Sequence, residues 1–192
     1  MSFAGTVASG LQGALMLARG RADGLLRVQR GMDGAARSFW AIPLCVPALV
    51  FLRLITFAGQ GMLPQDMPPL SGEIIVRDLL SFVVSWLTFA VISWYAAGAL
   101  HRTPRWPGFI AAWNWCNVVE NLLLVIGSVP GLLGAPLFVD QTAQLVAMIW
   151  ALWLEWYVIR LALDTRPLTA ALLVVLDEAI TVVFAILAMS GR

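Results

Sequence analysis

Five stretches of this chain, residues 39–58, 79–100, 108–127, 142–163 and 168–189, each supply about 20 predominantly apolar residues, the length an α-helix needs to cross a bilayer. In hydrocarbon every backbone N–H and C=O must be satisfied within the segment, so such stretches become helices or parts of closed barrels. Runs of about 20 residues rich in Leu, Val and Ala read as helices. Only 12% of the 192 residues are charged and 60% are hydrophobic. A soluble domain usually carries about a quarter charged residues. The expected fold is therefore an all-α polytopic membrane bundle of about five transmembrane helices. The domain organisation expected is an N-terminal arm, 1–38, followed by a transmembrane domain, 39–192.

The connections carry turn chemistry. Pro64, Pro68 and Pro69 fall in the first, Pro104 and Pro107 in the second, and Pro130, Gly131, Gly134 and Pro136 in the third. The third, 128–140, also holds Leu132, Leu133, Leu137 and Phe138, so it is apolar enough to lie at the interface or to dip back into the bilayer. The last, 164–167, is tight, and Pro167 suits the first position of a helix. Pro43 and Pro47 are expected to kink the first span and to free carbonyls there.

All twelve cationic side chains are arginine. Arg19, Arg21, Arg27, Arg30, Arg37, Arg102, Arg105, Arg160 and Arg166 fall on one side of the alternating spans, against Arg77 and Arg192 on the other. The positive-inside rule then places the N-terminus in the cytoplasm and the C-terminus outside. With a net charge of +1, nothing would draw the body of the protein to nucleic acid. Residues 1–18 lack a basic start and are diluted by Gly5, Gly10 and Gly13, which fits a cleaved secretory signal badly.

In the arm, Phe3, Val7, Leu11, Ala14 and Ala18 recur at helical spacing opposite Ser9, Gln12 and Gly13. This predicts an amphipathic interfacial helix, with Arg19, Arg21, Arg27 and Arg30 as candidate contacts to anionic headgroups. Cys45 and Cys116 read as two small buried hydrophobes rather than a disulfide.

Ionisable groups inside spans are costly and are functional suspects. Arg53, Glu120, Glu155, Asp177 and Glu178 lie in spans, joined by Asn114, Asn117 and Asn121. With a rise of about 1.5 Å per residue, Arg53 and Glu120 fall at one depth and are candidate partners. Glu155, Asp177 and Glu178 fall near the middle with no arginine at their level. Three such acids must be neutral, bind a cation or meet a partner subunit. The alternative is interhelical hydrogen bonding to the asparagines. Trp150 and Trp153 sit too deep for an interfacial belt, and with Trp113 they form a candidate aromatic pocket for a lipid, quinone or organic cation; the plainer reading is space-filling.

No H-E-x-x-H or E-x-x-H motif is present, and His101 is the only histidine. Glycine-rich phosphate loops are absent as well. The expectation is a protein without catalytic residues, metal or cofactor, whose partners are the lipid bilayer and either a second copy or another membrane protein.

The runs RSFWA at 37–41 and FIAAWNWCNVVEN at 109–121 resemble a group of small alphaproteobacterial inner-membrane proteins, and the five-span topology is similar to the Yip1 superfamily. These likenesses imply the bacterial inner membrane, and membrane organisation or partner binding rather than catalysis. Three readings follow: transport-like handling of a proton, cation or small solute by the buried acids; a Yip1-like accessory subunit; and a lipid- or quinone-modifying enzyme at the tryptophans.

Overall fold

A computed structural model of the chain describes residues 3–59 and 72–190. Among these the fold is helical without strands: α1 (Phe3–Leu17), α2 (Met32–Ser38), α3 (Ala41–Gly59), α4 (Gly72–Ala99), α5 (Trp106–Leu132), α6 (Leu137–Leu163) and α7 (Pro167–Ser190), with 3-10 turns at Ala22–Leu26 and Thr103–Arg105. Five stretches are long and apolar enough to cross a membrane: Met32–Ile55, Ile74–Ala99, Thr103–Leu132, Leu137–Leu163 and Pro167–Ser190. The expected number holds, and Pro167 opens the last helix as its chemistry predicts.

The first span differs from expectation in where it starts and bends. It begins at Met32, ahead of the predicted residue 39. The break falls at Phe39 and Trp40, where the ladder tightens to bonds from Phe39 N–H to the Ala36 carbonyl, and from Ile42 N–H to that of Phe39. Pro43 causes this, since its ring cannot approach the carbonyl four residues earlier, that of Phe39. Pro47 lies within the continuous α3. The third connection also differs. Helix continues through Pro130 to Leu132 and resumes at Leu137, leaving a four-residue turn with Gly134 at φ +71°. No loop dips back there. Leu133, Leu137 and Phe138 instead project from the helix ends, at least two-thirds exposed.

The bundle is organised around α5. This helix packs on α1, α2, α3 and α6, whereas α4 packs mainly on α7. Close approach of α5 to α6 depends on Gly127, where an added Cβ would stand 2.6 Å from that of Ala147 and 3.2 Å from the Ala143 carbonyl. Small residues at such crossings let membrane helices gain dispersion contacts. Between α4 and α5 the gap is filled by rings: Phe89 and Trp113 at 4.7 Å, Trp86 and Trp113 at 5.3 Å, and Phe89 and Phe109 at 6.5 Å. Cys45 and Cys116 are free and buried, as expected of small hydrophobes.

At the arginine-rich end, Asp164 takes a left-handed conformation (φ 53°) that caps α6 through its N–H to the Arg160 carbonyl. Its carboxylate then meets Arg105 at 3.1 Å and Arg102 at 3.6 Å, which ties the α4–α5 turn to the α6–α7 turn.

The arm is not laid out as a free surface helix. Ala14 and Ala18 of the expected face are buried, but so are Gly10, Leu17 and, from the expected polar side, Gly13, while Val7 and Leu11 are half-buried. The buried face is thus rotated from the expected one, and it meets α5. Gly10 abuts the Trp115 ring so closely that no Cβ would fit. The chain then folds back, with Gly24 against Gly13. Arg19, Arg21, Arg27 and Arg30 are all exposed. Arg21 hydrogen-bonds Asp23 at 2.8 Å and holds that carboxyl below its usual range.

Candidate functional site

The polar residues of the five long apolar stretches separate into two groups. The first is a closed hydrogen-bond network centred on Asn114, whose side chain is fully buried on α5. Its Oδ1 accepts from Trp86 Nε1 of α4 at 2.7 Å, and its Nδ2 donates to Ser38 Oγ of α2 at 2.7 Å. Ser38 in turn donates to the Ala35 carbonyl at 2.6 Å. One amide thereby joins three helices with both of its polar atoms engaged. Asn117 and Asn121 do otherwise: each donates to a carbonyl one turn earlier on its own helix, Trp113 at 3.1 Å and Asn117 at 2.9 Å. The predicted acid–asparagine hydrogen bonding is replaced by these local contacts, because an Nδ2 four residues beyond a carbonyl has a partner within reach without crossing to another helix.

The second group is acidic. Glu120 on α5, Glu155 on α6, and Asp177 and Glu178 on α7 lie close enough to repel one another when ionised. Glu155 is 4% exposed and its Oε1 lies 3.4 Å from Trp113 Nε1. Asp177 lies near enough to Glu155 and the Trp113 indole to interact with both. Three helices thus bring polar groups to one place, α5 through Trp113, α6 through Glu155 and α7 through Asp177. Carboxylates offer only acceptors, so acids grouped in this way repel one another unless they carry protons. Glu120 is near Glu155 and Asp177, and its Oε1 is buried with no hydrogen-bond partner.

Asp177 and Glu178 diverge by about 100°, as adjacent helical residues must. The expectation that both would face neighbouring helices holds only for Asp177, and Glu178 is exposed halfway along α7. The charged neighbours of these acids are other acids, with no cation among the described residues.

Arg53 does not serve this layer. Its partner is Asp78 on α4, with Nε to Oδ2 at 2.8 Å and a second bond at 3.3 Å. The expected pairing with Glu120 is replaced because α4 starts at Gly72, which places Asp78 inside the helix rather than in the preceding connection. The apolar run at 74–76, ahead of Arg77, is the signal that the helix begins before Leu79.

The three tryptophans of the candidate aromatic pocket do not converge. Trp113 is a core residue between α4 and α6. Trp150 and Trp153 line the arm instead. Trp150 Nε1 donates to the Ala18 carbonyl at 3.0 Å, and Tyr157 Oη, its ring stacked on Trp153 at 5.2 Å, donates to the Gly20 carbonyl at 2.7 Å. The carbonyls that follow α1 are those a helix end leaves unsatisfied. Their depth is explained by the arm, which brings polar groups to that level.

Among the described residues no three His, Cys, Asp or Glu side chains converge to hold a metal ion. Comparison with protein-family profiles, with curated proteins and with solved structures finds no match for the chain.

Proposed function

We propose that this is a non-enzymatic integral membrane protein that handles protons through its α5–α6–α7 carboxyl layer. The observation that carries the reading is the grouping of Glu120, Glu155 and Asp177 from three helices, within an apolar bundle among groups that offer no positive charge. A protonated carboxyl donates and an ionised one accepts, so neighbouring acids can pass a proton between them. Glu120, with a buried oxygen unsatisfied, is a further acceptor within the bundle. Glu178, exposed on α7, stands on the bundle's outer surface. Ionisable residues in such positions mark proton relays in membrane pumps and transporters. The same layer suits a proton better than a metal ion, because among the described residues no three of these side chains converge as metal ligands must.

In this reading the protein sits in the bacterial inner membrane with its arginine-rich end in the cytoplasm. Exposed Arg19, Arg21, Arg27 and Arg30 then meet the anionic headgroups of that leaflet.

The test is proton flux into liposomes carrying the purified protein and a trapped pH-sensitive dye, driven by a potassium diffusion potential. Wild type is expected to exceed empty vesicles, and Asp177→Asn and Glu155→Gln to reduce the flux at least tenfold. Flux indistinguishable from empty vesicles, or unchanged in both variants, sinks the reading.

One observation favours a second reading, an accessory subunit of a membrane complex. Glu178 is exposed in the middle of α7, where a partner helix bearing a basic or polar group would cover it. Purification in mild detergent separates the two: a stoichiometric partner lost on Glu178→Leu, with no flux from the chain alone, supports the subunit.

A further inference from the structure

A groove of about 200 Å³ runs between α4 and α7 at the end of the bundle opposite the arginine-rich turns, lined by Arg77, Leu80, Ser81, Val84, Phe184 and Ala188. Its geometry follows from the helix repeat. Arg77, Leu80, Ser81 and Val84 occupy positions i, i+3, i+4 and i+7, one stripe of α4, while Phe184 and Ala188 are one turn apart on α7. The two helices are antiparallel, so the start of α4 and the end of α7 share a membrane boundary. From Arg77 to Val84 the groove descends about 10 Å. It is smaller than the roughly 300–1,000 Å³ that encloses a compact ligand. A single extended chain fits it better.

The polar end is unusual. The Nε of Arg77 is buried and carries no hydrogen-bond partner, so it has lost water without gaining an acceptor. Its neighbour Asp78 is committed to Arg53, leaving Arg77 as the uncompensated charge at this level among the described residues. Ser81 donates no side-chain bond of its own that would compete for an acceptor at that end.

We infer that the α4–α7 groove binds one anionic phospholipid, with an acyl chain along Leu80, Val84 and Phe184 and its phosphate accepting hydrogen bonds from Arg77. Charge complementarity selects the headgroup. A guanidinium at the membrane boundary meets phosphate in a fork geometry that an ammonium cannot copy. The apolar stripe below it selects a lipid over a soluble anion, which would leave Leu80, Val84 and Phe184 uncovered. The site is independent of the carboxyl layer, so either can fail without the other.

The experiment is native mass spectrometry of the protein released from nanodiscs made with phosphatidylglycerol, phosphatidylcholine or an equal mixture. From the mixture, wild type is expected to retain one phosphatidylglycerol at least tenfold over phosphatidylcholine. Arg77→Gln should lose that preference, and Ala188→Phe, which fills the groove, should lose the bound lipid. Arg77→Lys should keep the preference in weakened form, and Arg166→Gln, at the other end, should match wild type. Circular dichroism and a monodisperse elution profile establish that each variant is folded. Equal retention of the two lipids by wild type, or an undiminished preference in folded Arg77→Gln, overturns the assignment. Displacement of the lipid by inorganic phosphate alone would overturn it too, since that makes the site one for a soluble anion.

Discussion

Helices α5 and α7 are of similar length and both cross the bundle, yet they stand at opposite extremes. The most apolar 18-residue window of α5 has a mean hydropathy of 1.5 and is 50% buried in the protein, whereas that of α7 reaches 2.4 and is 11% buried. The more apolar helix is the outer one. In water the hydrophobic effect would bury α7 and expose α5. In a bilayer lipid tails are as apolar as leucine, so exposure costs α7 nothing, and the inner helix is the one that can carry amides and indoles because neighbours satisfy them. The ionisable residues sharpen the contrast. On α5 the polar side chains are mostly bonded within the protein, while on α7 one acid faces inward and its neighbour faces out.

The comparison predicts a gradient of substitution effects, each measurable by reversible unfolding in mixed micelles. The largest is Phe109→Ala on α5, whose side chain is fully buried. It should cost about 3–5 kcal/mol, against well under 1 kcal/mol for Leu172→Ala on the exposed face of α7. Equal losses would mean that the face of α7 is covered. Next is Asn114→Leu, which removes the acceptor of Trp86 Nε1 and the donor to Ser38. An orphaned buried donor costs about 1–3 kcal/mol, so a loss near 2 is expected, and a neutral result would show that the α2–α4–α5 junction does not rest on this amide. Smaller again is Tyr157→Phe, which removes one hydrogen bond to the Gly20 carbonyl and should cost about 1 kcal/mol. Its distinguishing readout is faster trypsin cleavage after Arg19 and Arg21, with the spans intact. The smallest is Glu178→Gln, expected to change stability by less than about 0.5 kcal/mol because the group is exposed. A large loss there would place α7 against a partner.

Much of this architecture was legible because membrane crossing is a length-and-solvent problem. Five apolar segments, the turn chemistry between them and the tight final connection follow from local composition. The residues that went astray did so for geometric reasons. Asp78 falls just outside the span expected from hydropathy because the charged pair Arg77-Asp78 interrupts the apolar run between Val76 and Leu79, yet the helix includes it and gives Arg53 a partner. The expected arm extends to residue 38 because the apolar run begins at Phe39, but the helix from Met32 is already part of the first apolar stretch. The candidate acids are legible from the cost of charge in hydrocarbon, and Glu120, Glu155 and Asp177 lie near one another in the bundle. What the sequence could not supply was rotamer choice, which turned Asn117 and Asn121 onto their own helix. Nor could it show that the deep aromatics of α6 answer carbonyls more than 130 residues earlier, since neither local pattern contains the other.

That separation has a consequence in time. The carbonyls of Ala18 and Gly20 find their donors at Trp150 and Tyr157, 132 and 137 residues later in the chain. At a synthesis rate of about 5–20 residues per second, the arm waits on the order of ten seconds before its seat on α6 exists. Throughout that interval its helix end is unsealed while three following spans are made and the fourth is under way. The first segment to be made is therefore among the last to be fastened, and closing it reports that α6 has arrived in register.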